Sequence, residues 1–201
     1  MNRSGISMLA NLSDSSDNLV IDGAVSDTDV TKKTISTTQT TWLGKENKDW
    51  DCPDNWSNGI PATFNHAFIP ATTNEDNFPV LAANLSVDFT IKNEGLITIE
   101  NTTEIFKNGL IQNEGTIDIA NIGTLINNGK FVNLGTINNE GTIHNKKIIV
   151  NEGTLINDGV IDNEDAIVNV KELFNTGFID SDKELAGEGP VDGDGRIDYH
   201  F

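Results

Sequence analysis

The chain has 201 residues, with 31 acidic residues against 13 Lys and Arg, a net charge of -18. That balance argues against nucleic-acid recognition, which rests on Lys and Arg neutralising phosphates, and against anionic membrane surfaces. The single cysteine, Cys52, forms no internal disulfide, and no apolar run is long enough to cross a membrane as a helix. Hydrophobic residues make up 36% of the chain, and Asn stands out at 26 residues beside 18 Gly.

In chain order, residues 1–40 are rich in Ser, Thr and Asp, with only short apolar clusters such as Leu19, Val20 and Ile21. Such a segment buries too little apolar surface to offset its own ordering, which predicts a flexible tail or a strand donated to a sheet edge. Its first 20 residues carry Arg3 but no apolar stretch before a small-residue cleavage site, so no signal peptide is predicted. Residues 41–92 hold all three tryptophans, Trp42, Trp50 and Trp56, and then an irregular first coil over 75–92 with Leu85 and Ile91 on its inward phase. The tryptophans are expected to form the core of an N-terminal cap. With Asp49, Asp51 and Asp54 around them, they are also candidates for stacking on sugar rings.

Residues 93–186 are a repeat. Asn recurs every six residues from 121 to 175, and Gly follows two places later except at Lys147, Asp165 and Lys171. The fifth place of every unit is large and apolar. Two units, Asn93–Glu100 and Asn113–Ala120, are two residues longer. Placing both on the same side gives five coils of three units: 93–112, 113–132, 133–150, 151–168 and 169–186. A spacing of eighteen stacks Val132, Val150 and Val168 in one column and His144, Asp162 and Asp180 in another, whereas a spacing of twelve mixes them. The pattern predicts an all-β, three-sided β-solenoid (a parallel β-helix) of about five coils of 18–20 residues, with a Trp-rich N-terminal cap. Each fifth place points inward and its neighbours point outward, by the two-residue alternation of strands. Asn-x-Gly makes the corners, because Asn and Gly tolerate left-handed backbone angles, and stacked Asn amides can hydrogen-bond along the column.

Four groups of residues are candidate sites. On the third face, Val132, Ile148, Val150, Ala166 and Val168 are apolar at outward places, which predicts that they are covered by the N-terminal region or by another molecule. The outward column His144, Asp162 and Asp180 brings carboxylates about 5 Å apart. It reads as a solvated face, a cation site or a carbohydrate-cleaving acid pair. Asp192, Gly193, Asp194, Gly195, Ile197 and Asp198 match the middle of an EF-hand-type loop, but Pro190 and Phe201 stand where its first and last ligands belong. The run resembles half of a dockerin-like calcium loop and implies weak Ca²⁺ binding through Asp192, Asp194 and Asp198, or a plain acidic turn. Thr116, Thr136 and Thr154 stack on the first face, but their neighbours Asp118, Asn138 and Ile156 are too irregular for an ice-binding surface.

The string Trp42-Leu43-Gly44, Asp49-Trp50, Asp54-Asn55-Trp56-Ser57-Asn58-Gly59-Ile60-Pro61, Ala67-Phe68-Ile69-Pro70 and Pro79-Val80-Leu81 resembles a known module. That module opens the solenoid repeats of secreted cell-surface proteins in bacteria that use the type IX route. The resemblance implies an extracellular, non-catalytic structural or adhesive role. The six-residue period is also similar to hexapeptide-repeat acyltransferases, whose unit has a small residue where this chain mostly has Gly. No nucleophile-elbow, zinc-protease or phosphate-loop motif is present, and His66, His144 and His200 lie far apart in sequence. The sequence therefore reads as a non-enzymatic surface protein that contacts other proteins or copies of itself, a fibre subunit being one form of this. A polysaccharide-binding or polysaccharide-cleaving solenoid is the alternative. No cofactor is implied beyond the weak Ca²⁺ site, and no membrane insertion. The acidic, Gly-rich residues 187–201 close or leave the far end.

Overall fold

The structure, a computed structural model, describes residues 38–200. Each hexad supplies a four-residue strand, inward residues alternate with outward ones, and three strands make one turn. The result is a parallel β-solenoid of three seven-stranded sheets. The first sheet contains Val80–Leu81, Leu96–Ile99, Thr116–Ile119, Thr136–Asn139, Thr154–Asn157, Glu172–Asn175 and Val191–Asp192. The second contains Leu85–Val87, Thr102–Ile105, Thr124–Asn127, Thr142–Asn145, Val160–Asn163, Phe178–Ser181 and Arg196–Tyr199. The third contains Thr38–Thr41, Asn65–Ile69, Thr90–Asn93, Leu110–Asn113, Lys130–Asn133, Ile148–Asn151 and Ala166–Asn169.

The solenoid has about seven turns, where the repeat alone predicts five. Segments outside the strict repeat add strands at both ends. Thr38–Thr41 pairs with Asn65–Ile69, so residues 38–40 form part of an edge strand of the third sheet. The rest of the expected tail, residues 1–37, lies outside the described residues. At the other end the hexad continues in disguise as Gly187-x-Gly189-x-Val191 and Gly193-x-Gly195-x-Ile197, with Gly in place of Asn. Gly187 and Gly193 take φ of +104° and +105°, a left-handed conformation that suits Gly. A Cβ on either would also lie within 2.1 Å of a carbonyl oxygen of the preceding coil.

The inward columns form one apolar core with members such as Ile117, Leu125, Phe131, Ile137 and Ile161, each at most 1% exposed. Each such side chain contributes roughly 1.5–3 kcal/mol of burial. Trp42, Trp50 and Trp56 belong to the same core, with Trp56 edge-on to the other two at centroid distances of 5.0 and 4.7 Å. Their burial leaves no ring face for a sugar.

At the corners, the ladder asparagines are buried at 0–2% exposure. They form three columns: Asn93, Asn113, Asn133, Asn151 and Asn169; Asn139, Asn157 and Asn175; Asn127, Asn145 and Asn163. Within a column each Nδ2 donates to the Oδ1 of the next Asn at 2.6–2.8 Å. It also donates to a backbone carbonyl of the next coil, as Asn145 does to Ala166 O at 3.0 Å. At their C-terminal ends the columns pass their amide donors to other acceptors. Asn169 and Asn175 donate to Pro190 O and Arg196 O, and Asn163 donates to Ser181 Oγ.

The two long units depart from the expected arrangement. They do not share a corner. Neither unit is itself lengthened where the phase suggests: one pair of extra residues lies in the turn 106–109 between the second and third sheets, the other in the turn 120–123 between the first and second sheets. The strand Thr102–Ile105 is therefore displaced by two residues, so Thr103 and not Ile105 pairs with Leu125, and Ile105 pairs with Asn127 in the ladder column. Asn121, in phase with the repeat, is exposed, and Ile119 holds the ladder place above Asn139. Among the described residues, Thr103 Oγ1 and Asn139 Oδ1 are left buried without a hydrogen-bond partner.

An interior ladder asparagine is thus far more important than an Asn that only shares the repeat phase. Asn145→Ala leaves Asn163 Oδ1 without its donor and Asn127 Nδ2 short of an acceptor. At about 1–3 kcal/mol for each orphaned buried group, a loss of roughly 2–4 kcal/mol is expected in denaturant unfolding. Asn121→Ala is expected to change stability by no more than about 0.5 kcal/mol. Equal effects of the two substitutions would contradict the ladder.

Candidate functional site

The second sheet carries the column that the sequence singles out. His144 pairs in register with Asp162, and Asp162 with Asp180. The column continues to Asp198 on Arg196–Tyr199. Three carboxylates so stacked repel one another, and each has a basic group against it. His144 Nδ1 lies 3.0 Å from Asp162 Oδ2, and His200 Nε2 lies 2.7 Å from Asp180 Oδ1. Arg196 Nε donates to Asp198 Oδ1 at 2.8 Å, and that hydrogen bond raises the already high pKa of the guanidinium. Beside the column, Lys146 meets Glu164 at 3.0 Å, and the hydrogen bond raises the lysine pKa. These side chains are partly or largely exposed on an open sheet; they contact one another, and Arg196 also lies over the Phe178 ring at 5.6 Å.

The calcium-loop residues do not converge. Asp192 pairs with Phe174 on the first sheet, Asp198 pairs with Asp180 on the second, and Asp194 stands at the corner between them. Among the described residues no three His, Cys, Asp or Glu side chains are grouped to hold a metal. The reason is local: Gly193 and Gly195 form a solenoid corner, with Gly195 N donating to Asn175 O at 2.9 Å, so the acidic residues splay over two sheets. The sequence signal that reveals this is the continued six-residue spacing of Gly187, Gly193 and their inward partners Val191 and Ile197.

On the third sheet, Val132 pairs with Val150 and Val150 with Val168, while Ile148 pairs with Ala166. All five are half-buried. On one side Lys130 interrupts the column between Ile148 and Leu110, and on the other Ala186 extends the strip through a bridge to Val168. Of the N-terminal segment expected to cover this strip, only Thr38–Thr40 are described, and they pair with Asn65–Ala67 at the opposite end of the same sheet.

A small cavity of about 10 Å³, room for roughly one water, lies between Trp50 and the segment 80–85, away from both columns. Trp50 Nε1 beside it has no hydrogen-bond partner among the described residues. Sequence reasoning did not single out His66, on the third sheet, whose Nδ1 accepts a hydrogen bond from Thr90 N at 3.0 Å. Partial burial holds its pKa below the ordinary value of 6.5.

Residues 41–152, running from the tryptophan segment to the start of the fourth coil of the repeat, match the profile of a family described as Domain of unknown function (DUF8693). The chain belongs to that family. No curated protein and no solved structure matches it. The family region holds both long turns, Val132, Ile148, Val150 and His144, whereas Asp162, Asp180 and the segment 187–200 lie beyond it.

His66 gives this fold a defined acid response. As pH falls through the ordinary histidine range, the unfolded chain takes up its proton first, so the unfolded state binds more protons and stability falls. A neutral Nδ1 is also what the Thr90 hydrogen bond needs. His66→Gln is therefore expected to lose less stability than the natural chain between about pH 7.5 and 5.5. Parallel stability curves for the two would refute this.

Proposed function

We propose that the protein is a non-catalytic structural or adhesive solenoid of the cell exterior, acting through protein contacts and able to assemble with copies of itself. One observation carries this reading: the in-register strip of Val132, Val150 and Val168 beside Ile148 and Ala166, apolar at places that face outward. Outward places on a solvated sheet favour polar residues, and a contiguous apolar surface marks a contact site. The unpaired edges of parallel sheets add to the tendency to associate.

The buried tryptophans act in this reading as an N-terminal cap. The bridge between Asp49 and Val80 supports that role, because it occupies the outer edge of the first sheet. The repeat coils between 93 and 186 then serve as a spacer that presents the strip. The resemblance of residues 42–81 to the opening module of type IX-route surface proteins supports an extracellular location. The engagement of Asp162 and Asp180 with histidines favours a structural role for that column over acid–base chemistry.

Light scattering tests the proposal. The full chain is expected to show a concentration-dependent mass above the 21.8 kDa of one copy, and Val150→Asp to remove it. A single-copy mass at every concentration, or an assembly indifferent to Val150→Asp, would refute it.

A further inference from the structure

Every corner of the repeat between 128 and 177 crosses from strand to strand with two residues. The turns 106–109 and 120–123 take four, and they are built alike. Gly109 N donates to Phe106 O at 2.7 Å, and Gly123 N donates to Ala120 O at 2.7 Å. Both glycines are tucked under the preceding coil: a Cβ would lie 2.1 Å from Val87 O or from Ile99 O. With the turn ends pinned inward, the extra residues stand outward. Phe106 is 41% and Ile122 80% exposed, Ile122 more than any other large apolar residue among those described.

The two turns flank one place. The first follows Thr102–Ile105 and the second precedes Thr124–Asn127, and these strands are hydrogen-bonded neighbours in the second sheet. They stand at diagonally opposite corners of a two-strand plate whose outward residues are Thr102, Glu104, Thr124 and Ile126. Asn128 Nδ2 holds Glu104 Oε1 at 2.8 Å.

We propose that this plate is a binding site for a neutral polysaccharide chain. The stacking of the coils needs neither long turn, yet each raises an apolar side chain into solvent at one end of the plate. Phe106 offers a ring for the apolar side of a sugar. The hydroxyls of Thr102 and Thr124 and the fixed carboxylate of Glu104 suit a hydroxyl-rich partner that both gives and takes hydrogen bonds. The plate carries Glu104 with Lys107 in the first turn and Lys146 nearby, so local charges offset one another, while the protein's net -18 repels an anionic chain. A flat surface about 13 Å along its strands fits an extended polymer and not an enclosed small molecule. The strand pairing fixes the plate before binding, which lowers the ordering cost. This inference does not rest on the apolar strip of the third sheet, which lies on a different face.

Affinity electrophoresis of the full chain through gels containing laminarin, glucomannan, arabinoxylan or amylopectin tests it. Retardation is expected with at least one of them. Phe106→Ala and Ile122→Ser are each expected to weaken it by about tenfold or more, and Val150→Asp to leave it unchanged. Thr124→Lys, on the floor of the plate, blocks it without altering either turn and serves if a turn variant fails to fold. Failure of all four polysaccharides, or retardation that survives Phe106→Ala, Ile122→Ser and Thr124→Lys, overturns the proposal. So does retention only by an anionic polysaccharide or only by a protein.

Discussion

The structure depends on a side-chain amide that must meet another one coil away. A buried Asn has a carbonyl oxygen and two N–H donors to satisfy, and water is excluded at these corners. Stacking at the coil spacing solves the problem: Oδ1 accepts from the preceding Asn, and Nδ2 donates to the following Asn and to a backbone carbonyl. Each bond contributes only about 0.5–1.5 kcal/mol net, but an unmatched amide costs more than a matched one gains. The ladder therefore selects the alignment of the coils more strongly than it adds stability, and the aliphatic columns between the ladders supply most of the burial.

The ends of the ladders show the same constraint. Towards the N-terminal side the ladder columns turn apolar, with Val87 and Ile105 above Asn127 and with Leu81, Ile99 and Ile119 above Asn139. Towards the C-terminal side they turn to Gly187, Gly193 and Ser181, which present no amide needing a further coil. The N-terminal change is imperfect, since Asn93 Oδ1 and Asn139 Oδ1 face Ile69 and Ile119 and stay unpaired among the described residues. A six-residue period repeated on three corners would otherwise permit slips of one face. The apolar corner residues break that degeneracy, as patterning sets register in other sheets.

How much of this is legible in the residues follows from the same physics. The inward places are plain because Ile, Leu and Phe recur at one phase, and the eighteen-residue coil follows from the sixth places, where Val132, Val150 and Val168 pair as the spacing predicts. The position of the extra residues is not legible. Thr103 and Ile105 both point inward from one strand, so alternation cannot tell which belongs to the core column, and Asn101 and Asn121 imitate the ladder phase while standing exposed. The last turn is hidden because Gly replaces Asn in it, which also makes Asp192, Asp194 and Asp198 look like a calcium loop. The His144 column is readable in its order, but the approach of His200 to Asp180 depends on that hidden turn.

In the proposed reading function resides on the faces and turns, since the interior is committed to the stack. The apolar strip lies on the third sheet and the plate framed by Phe106 and Ile122 on the second, so one solenoid can present two surfaces to different partners. Both rely on coils held in one register by the amide ladders. Side-chain amide hydrogen exchange, followed by NMR on the full chain, tests that dependence most directly. The Nδ2 protons of Asn113, Asn133, Asn145, Asn151 and Asn157 should exchange far more slowly than those of Asn121. Equal, fast exchange at all of these positions would mean that the amides are open to water and that the coils are held together by something else.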